Sequence, residues 1–151
     1  INTNFGIVFS ELFGGGKATL EILENEEKDM LQAGIDIKAQ PPEKKLDNIT
    51  LLSGGEKSLI GIAILFAIIK LRPMPFCLLD EIEAALDEAN ATRLAVYLKK
   101  YSAETQFIVI THKKPTMEHS NNLFGVTMQE KGVSRVISVS LTEAINSVKE
   151  S

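Results

Sequence analysis

The sequence predicts an α/β fold, a mixed parallel sheet with flanking helices and an antiparallel β portion at the front. Two observations carry this. The strand-like stretches 76–79 and 106–110 are short, the first apolar throughout and the second apolar after Gln106, and each comes after a helix-like stretch. Runs of that length and continuity suit strands of a parallel sheet, covered on both faces. The segments 18–23 and 35–39 instead alternate apolar and polar residues. That alternation marks half-buried strands that pair antiparallel.

Composition sets the limits. A length of 151 residues suits one domain with a sizeable core, and 1–151 is read as a single domain segment. Hydrophobic residues at 44% and charged residues at 24% are ordinary for a soluble globular protein. A net charge of −4 gives no global basic footprint for DNA, which leaves room only for a local basic patch. The single cysteine, Cys77, excludes an internal disulfide and fits a reducing compartment. Its apolar neighbours make it a buried structural thiol. No signal-peptide pattern opens the chain. The longest apolar run, 59–69, is about half the ~20 residues of a membrane span and is interrupted by Gly61. The chain starts at Ile1 rather than methionine, so an upstream segment is expected.

The elements follow in order. Phe5, Val8, Phe9, Leu12 and Phe13 recur at helical spacing, and 1–13 reads as the end of a longer helix. Gly14-Gly15-Gly16 stops it. Ala18, Leu20 and Ile22 share one face of a first strand; Ile35, Ile37 and Ala39 share one face of its partner, beyond an acidic connection with Glu24, Glu26, Glu27 and Asp29. Pro41-Pro42 ends the pair, and 43–48 reads as a polar loop. Ser53 opens a long helix whose stretch 59–71 is apolar at all but Gly61 and Lys70, a composition that predicts burial on all sides. Arg72-Pro73-Met74-Pro75 terminates it before the strand 76–79. Residues 87–100 read as a helix, 106–110 as a second buried strand, and 123–129 with 134–141 as a hairpin around Lys131-Gly132. A short helix is expected at the end of the chain.

Chemistry concentrates at two helix and strand ends. Ser53-Gly54-Gly55-Glu56 lies where the long helix begins. Ser-x-x-Glu is a capping box, which alone is a structural device. Two glycines there cost roughly 1 kcal/mol each relative to alanine, and a cap does not need them. Glycines let an outside group approach the backbone, and a helix N-terminus favours phosphate. Asp80 and Glu81 end the strand 76–79, where open α/β sheets place ligands. Adjacent acids repel, and a magnesium ion relieves that repulsion. The expected division gives Asp80 to the metal and Glu81 to the proton of an attacking water. A solvated acid pair is the bland alternative. Asp87 reads either as an N-cap or as part of a loop beside a nucleotide. His112 directly follows the second strand and reads as a γ-phosphate contact, with a structural histidine as the alternative. His119 has no such context and reads as a surface residue.

A phosphate-cradling P-loop needs Gly, four residues, Gly-Lys and Ser or Thr. Gly14-Gly15-Gly16-Lys17 fails because Glu11 holds the first glycine position and Ala18 follows the lysine; Gly54-Gly55-Glu56-Lys57 fails because Glu56 splits the pair. A helix of about 18 residues rises roughly 27 Å, and the strand returns about 16 Å. Ser53 is therefore expected on the order of 10 Å from Asp80. The serine and the acids would then serve different nucleotides, shared between two domains.

These residues resemble the ABC-type ATPase set. Leu52-Ser53-Gly54-Gly55-Glu56 looks like the signature motif, 76–81 like Walker B with its glutamate, Ala85-Leu86-Asp87-Glu88 like the D-loop, and His112 like the switch histidine. The finer resemblance is to the structural maintenance of chromosomes (SMC) family, bacterial type. It runs through Phe13-Gly14-Gly15-Gly16, Pro41-Pro42-Glu43-Lys44-Lys45, Leu86-Asp87-Glu88-Ala89-Asn90, Ile110-Thr111-His112-Lys113 and Gly125-Val126-Thr127-Met128. It covers nearly the whole chain and implies the C-terminal half of an ABC-type P-loop NTPase head. By that resemblance the P-loop lies in an N-terminal head segment, beyond a coiled coil of which 1–13 is the end. It also implies ATP and Mg2+, a second SMC head, a kleisin subunit, DNA, and a cytoplasmic, nucleoid-associated protein. Two other classes stay open. A transport ATPase fragment would have a P-loop closely upstream and a membrane subunit. A non-catalytic kleisin-binding module would not need both Asp80 and Glu81.

Overall fold

The computed structural model describes residues 1–23, 33–42, 47–48 and 52–140. Helix α1 is Asn2–Phe13, followed by strands β1 (Lys17–Ile22), β2 (Ile35–Gln40) and β3 (Asp47–Asn48). Helix α2 (Gly54–Ile69), strand β4 (Phe76–Asp80), helix α3 (Glu88–Tyr101) and strand β5 (Gln106–Ile110) come next. Helix α4 (Lys114–His119) and the hairpin β6 (Asn122–Glu130) and β7 (Val133–Ser140) complete the described chain. The expected last helix and the acidic connection lie outside the described residues.

Helix α1 buries all five of its patterned residues, Phe5, Val8, Phe9, Leu12 and Phe13. Phe9 stacks on Phe13 at 4.2 Å and meets Phe5 edge-on at 6.2 Å. Gly14 then takes the left-handed conformation at φ 72° and ends the helix. Gly16 is required outright. It has φ 85°, and a Cβ there would lie 2.3 Å from the Gln40 carbonyl oxygen. This close approach lets β1 leave α1 and pair with β2.

Strands β1 and β2 are antiparallel, with Ala18 opposite Ala39 and Leu20 opposite Ile37. Both alanines are buried, and α1 lies against β1. The predicted loop 43–48 needs correction at its end. Asp47–Asn48 is a short strand on the far side of β2, pairing Ala39 with Asp47. Two residues carry no readable period.

Strands β4 and β5 run parallel, in register from Phe76 opposite Gln106 to Asp80 opposite Ile110. Helix α3 is the crossover between them, as a parallel pair demands. The core gathers Phe66 and Ala63 of α2, Leu94 and Tyr97 of α3, and Cys77 and Leu79 of β4 around α1. Phe66 lies 5.0 Å from Tyr97 and 6.0 Å from Phe107, ring to ring. Cys77 is the buried thiol expected, and burial raises its pKa.

Two burial expectations fail in an instructive way. Helix α2 is covered along Leu59, Ile62, Ala63, Phe66 and Ala67, yet Gly61, Leu65 and Ile68 are exposed. In the parallel pair, Cys77 and Leu79 are buried, whereas Phe76 is 58% exposed and Leu78 60%. Ile108 at 47% and Ile110 at 50% repeat the pattern on β5. An apolar run states that both faces tolerate cover, not that this chain supplies it. Helix α4 was not anticipated; its six residues are too few for a helical period to show.

Candidate functional site

Helix α2 starts with the predicted capping box. Ser53 Oγ accepts from the Glu56 amide at 3.2 Å, and the Ser53 amide donates to Glu56 Oε2 at 3.0 Å. The cap therefore engages both side chains, and Ser53 stays exposed. Gly54 has open space where a Cβ would sit, with no heavy atom within 4 Å. A Cβ on Gly55 would lie 3.4 Å from the Ala85 carbonyl oxygen. The start of α2 thus touches the segment that follows Glu81, which brings two predicted motifs together.

The strand-end acids sit as the pattern predicts. Asp80 closes β4, exposed. Glu81 leaves the strand with φ 45°, the one non-glycine residue with positive φ among those described. Such a conformation costs roughly 1–3 kcal/mol and persists only where its surroundings dictate it. Its amide donates to the Ile110 carbonyl at 3.0 Å, and its own carbonyl accepts from the Ala84 amide at 3.0 Å. This tight turn points the Glu81 carboxylate at the end of β5. There His112 Nδ1 lies 3.2 Å from Glu81 Oε1, both side chains more than half exposed. An acid and an imidazole within hydrogen-bond reach at an open strand end can hold a water and take its proton.

Asp87 is the N-cap of α3. Its Oδ1 accepts from the Asn90 amide at 2.8 Å and its Oδ2 from Asn90 Nδ2 at 3.1 Å. Both oxygens are committed to the cap, the bland alternative for this residue. His119 is the half-exposed end of α4, its Nδ1 2.8 Å from the Pro115 carbonyl oxygen. Asp80 is the exposed hard oxygen donor that suits magnesium, an ion that keeps much of its water. No cluster of three or more His, Cys, Asp or Glu side chains arranged for a metal occurs among the described residues. A metal here would therefore need further ligands from a substrate or another segment.

Pattern reading missed Glu83. It is 1% exposed, and its Oε1 accepts from Thr111 Oγ1 and, at 2.9 Å, from Thr116 Oγ1. Thr111 Oγ1 in turn accepts from the Lys113 amide at 2.9 Å. The available signal was a third acid two residues beyond Glu81, in a turn with no other reason to be acidic.

Similarity to known proteins fits this geometry. The model of the RecF/RecN/SMC N-terminal domain family matches residues 16–135. The chromosome partition protein Smc of Bacillus subtilis (strain 168) is 62% identical over 143 residues, covering 95% of this chain and 12% of that protein. The Clostridium kluyveri protein of the same name is 57% identical over 141 residues, with 93% and 12% covered. The chain thus spans about an eighth of the length of these relatives. A solved structure described as concerning ATP-driven dimerization and DNA-stimulated activation of SMC ATPases superposes with a TM-score of 0.84. It is 43% identical, and the match covers 99% of this chain and 89% of that one. The Smc head domain with an extended coiled coil from Pyrococcus furiosus, bound to the C-terminal domain of ScpA, gives 0.78 at 45% identity, covering 99% and 37%. With its α/β architecture matching solved SMC heads and the family model spanning most of its length, the chain belongs to the RecF/RecN/SMC N-terminal domain family.

Proposed function

We propose that residues 1–151 form the C-terminal half of an SMC-type ATPase head, one domain segment that works only with a P-loop-bearing N-terminal segment of the same protein. The family description names an N-terminal domain. The C-terminal assignment rests instead on a signature-like helix start, paired acids and a switch-like histidine in a sequence with no P-loop pattern. The observation that carries the function is the approach of His112 to Glu81 at 3.2 Å beyond the parallel pair. In this reading Glu81 accepts the proton of the attacking water and His112 orients the γ-phosphate. Asp80 would hold Mg2+, which when bound neutralises phosphate charge. Ser53 and the amides of Gly54 and Gly55 receive the γ-phosphate of ATP bound to a second, identical head, Glu56 completes that binding turn through the capping box, and Asp87 lies beside that nucleotide. Helix α1 is the root of the coiled coil.

The exposed apolar residues Phe76, Leu78, Ile108 and Ile110, on one face of the paired β4 and β5, support a partner segment, because exposed apolar patches mark interaction surfaces. The relatives' names support a place in chromosome partition, with DNA entrapment or loop extrusion as the outcome. The ScpA complex of the Pyrococcus furiosus head supports a kleisin partner. The relatives' names support a cytoplasmic place at the nucleoid. No described helix is long and apolar enough to cross a membrane.

The test is a head reconstituted from this chain and its P-loop segment. The chain alone should not hydrolyse ATP, and the reconstituted head should. Glu81→Gln keeps the shape but cannot take the proton, so hydrolysis should fall by ~10²–10⁴. Head dimers should then accumulate with ATP, as seen by sedimentation. Hydrolysis at the normal rate, or a mutant that stays monomeric at saturating ATP, would overturn the assignment.

A further inference from the structure

Resting on that ATPase reading, we infer that Glu83 is a positioning residue whose buried carboxylate holds the Glu81 turn and the His112 segment in register. Glu81 and His112 are exposed, and exposed ion pairs contribute little to holding their own geometry. The backbone around them must set it. On the Glu81 side the turn carries a positive φ, so something rigid must enforce it. On the His112 side, Thr111 bonds the Glu83 carboxylate directly and Lys113 is tied to it through Thr111. Thr111 Oγ1 donates to Glu83 Oε1 and accepts from the Lys113 amide. Thr116 Oγ1, buried in α4, donates to the same Oε1 at 2.9 Å. Lys113 Nζ closes the loop on the Leu86 carbonyl at 3.3 Å. A single carboxylate thus joins the turn 81–87 to the residues on both sides of His112.

Stability alone does not explain this residue. Burying a carboxylate is costly, and here only neutral hydroxyls answer it. Glu83 Oε2 is buried with no hydrogen-bond partner in the described chain. An apolar side chain would fill the volume at lower cost. What it would not supply is one acceptor shared by two hydroxyls on separate elements, which aligns the catalytic pair.

The experiment uses the reconstituted head. Glu83→Ala should lower kcat by about 10- to 100-fold, the scale of a small misplacement of reacting groups, with KM for ATP within about twofold because the nucleotide is held elsewhere. Hydrogen exchange at the amides of Glu81 and Lys113 should accelerate at least about tenfold, while α3 amides stay unchanged. Glu83→Gln keeps an acceptor for both threonines and should restore kcat to within about threefold of the unmutated head. Thr111→Val, which is close to isosteric, should reproduce the Glu83→Ala pattern should that variant fail to fold. A fall in kcat without faster exchange at Glu81 and Lys113, or faster exchange with kcat unchanged, overturns the inference. So does a parallel loss of ATP binding, which would make Glu83 merely structural. If the unmutated head shows no hydrolysis sensitive to Glu81→Gln, the ATPase reading itself falls and takes this role with it, a result distinct from every other.

Discussion

The two faces of the β4–β5 pair make opposite use of the same residue types. Cys77 and Leu79 face the helices and are buried among Phe66, Leu94 and Tyr97. Phe76, Leu78, Ile108 and Ile110 face the other way and are about half exposed. Side chains alternate across a strand, so every second residue of one apolar run meets the core and the rest meets water. The packed face shows what this chain completes by itself. The open face shows what it leaves exposed. In the proposed head a P-loop-bearing segment covers it, and the proposed catalytic end of β4 lies at the border between the two faces.

The largest effect should come from the packed face. Phe66→Ala should cost about 3–5 kcal/mol, as aromatic deletions in filled cores do, read as a lower urea midpoint. Leu78→Ala on the open face should change the stability of the chain alone by no more than about 0.5 kcal/mol. In the reconstituted head it should weaken association with the P-loop segment by roughly 1.5–3 kcal/mol, measured by calorimetric titration. Equal losses from both substitutions in the chain alone would mean that the open face is already covered, and the comparison would break.

A smaller effect belongs to the polar edge of the packed face. Lys70 Nζ donates to Tyr101 Oη at 2.7 Å, and Tyr101 Oη donates to Glu11 at 3.0 Å. Lys100 Nζ donates to Glu11 Oε1 at 2.9 Å. Partial burial raises the Glu11 pKa, but the bonds from Lys100 and Tyr101, with the charges of Lys100 and Lys70, outweigh it and lower the net value. A lowered pKa means that folding favours the ionised form. Its stabilisation is present above the ordinary carboxylate value and is lost as pH falls through the folded one. Glu11→Gln should therefore destabilise slightly near neutrality, and the difference from the unmutated chain should shrink at acid pH in thermal melts. A difference that grows on acidification would contradict the shift.

Much of this was legible locally. The five apolar positions of α1, the glycine stop and the antiparallel alternation of β1 and β2 are short-range patterns, and the structure follows them. The Ser53–Glu56 box and the Asp87 cap likewise join residues only three positions apart. The candidate residues Asp80, Glu81 and His112 were visible because strand ends are marked by where an apolar run stops.

The sequence by itself determined the α/β class, the order of most elements and the strand-end acids, because period, caps and turn residues act within a few positions. Only the tertiary structure decided which face of β4 is covered, that β3 pairs with β2, and that Glu81 bends into positive φ. It alone joined Glu81 to His112, Glu83 to Thr111 and Glu83 to Thr116, across 31, 28 and 33 positions of chain. No local period encodes such distances. They follow from the parallel pairing of β4 with β5, which sets the two strand ends side by side.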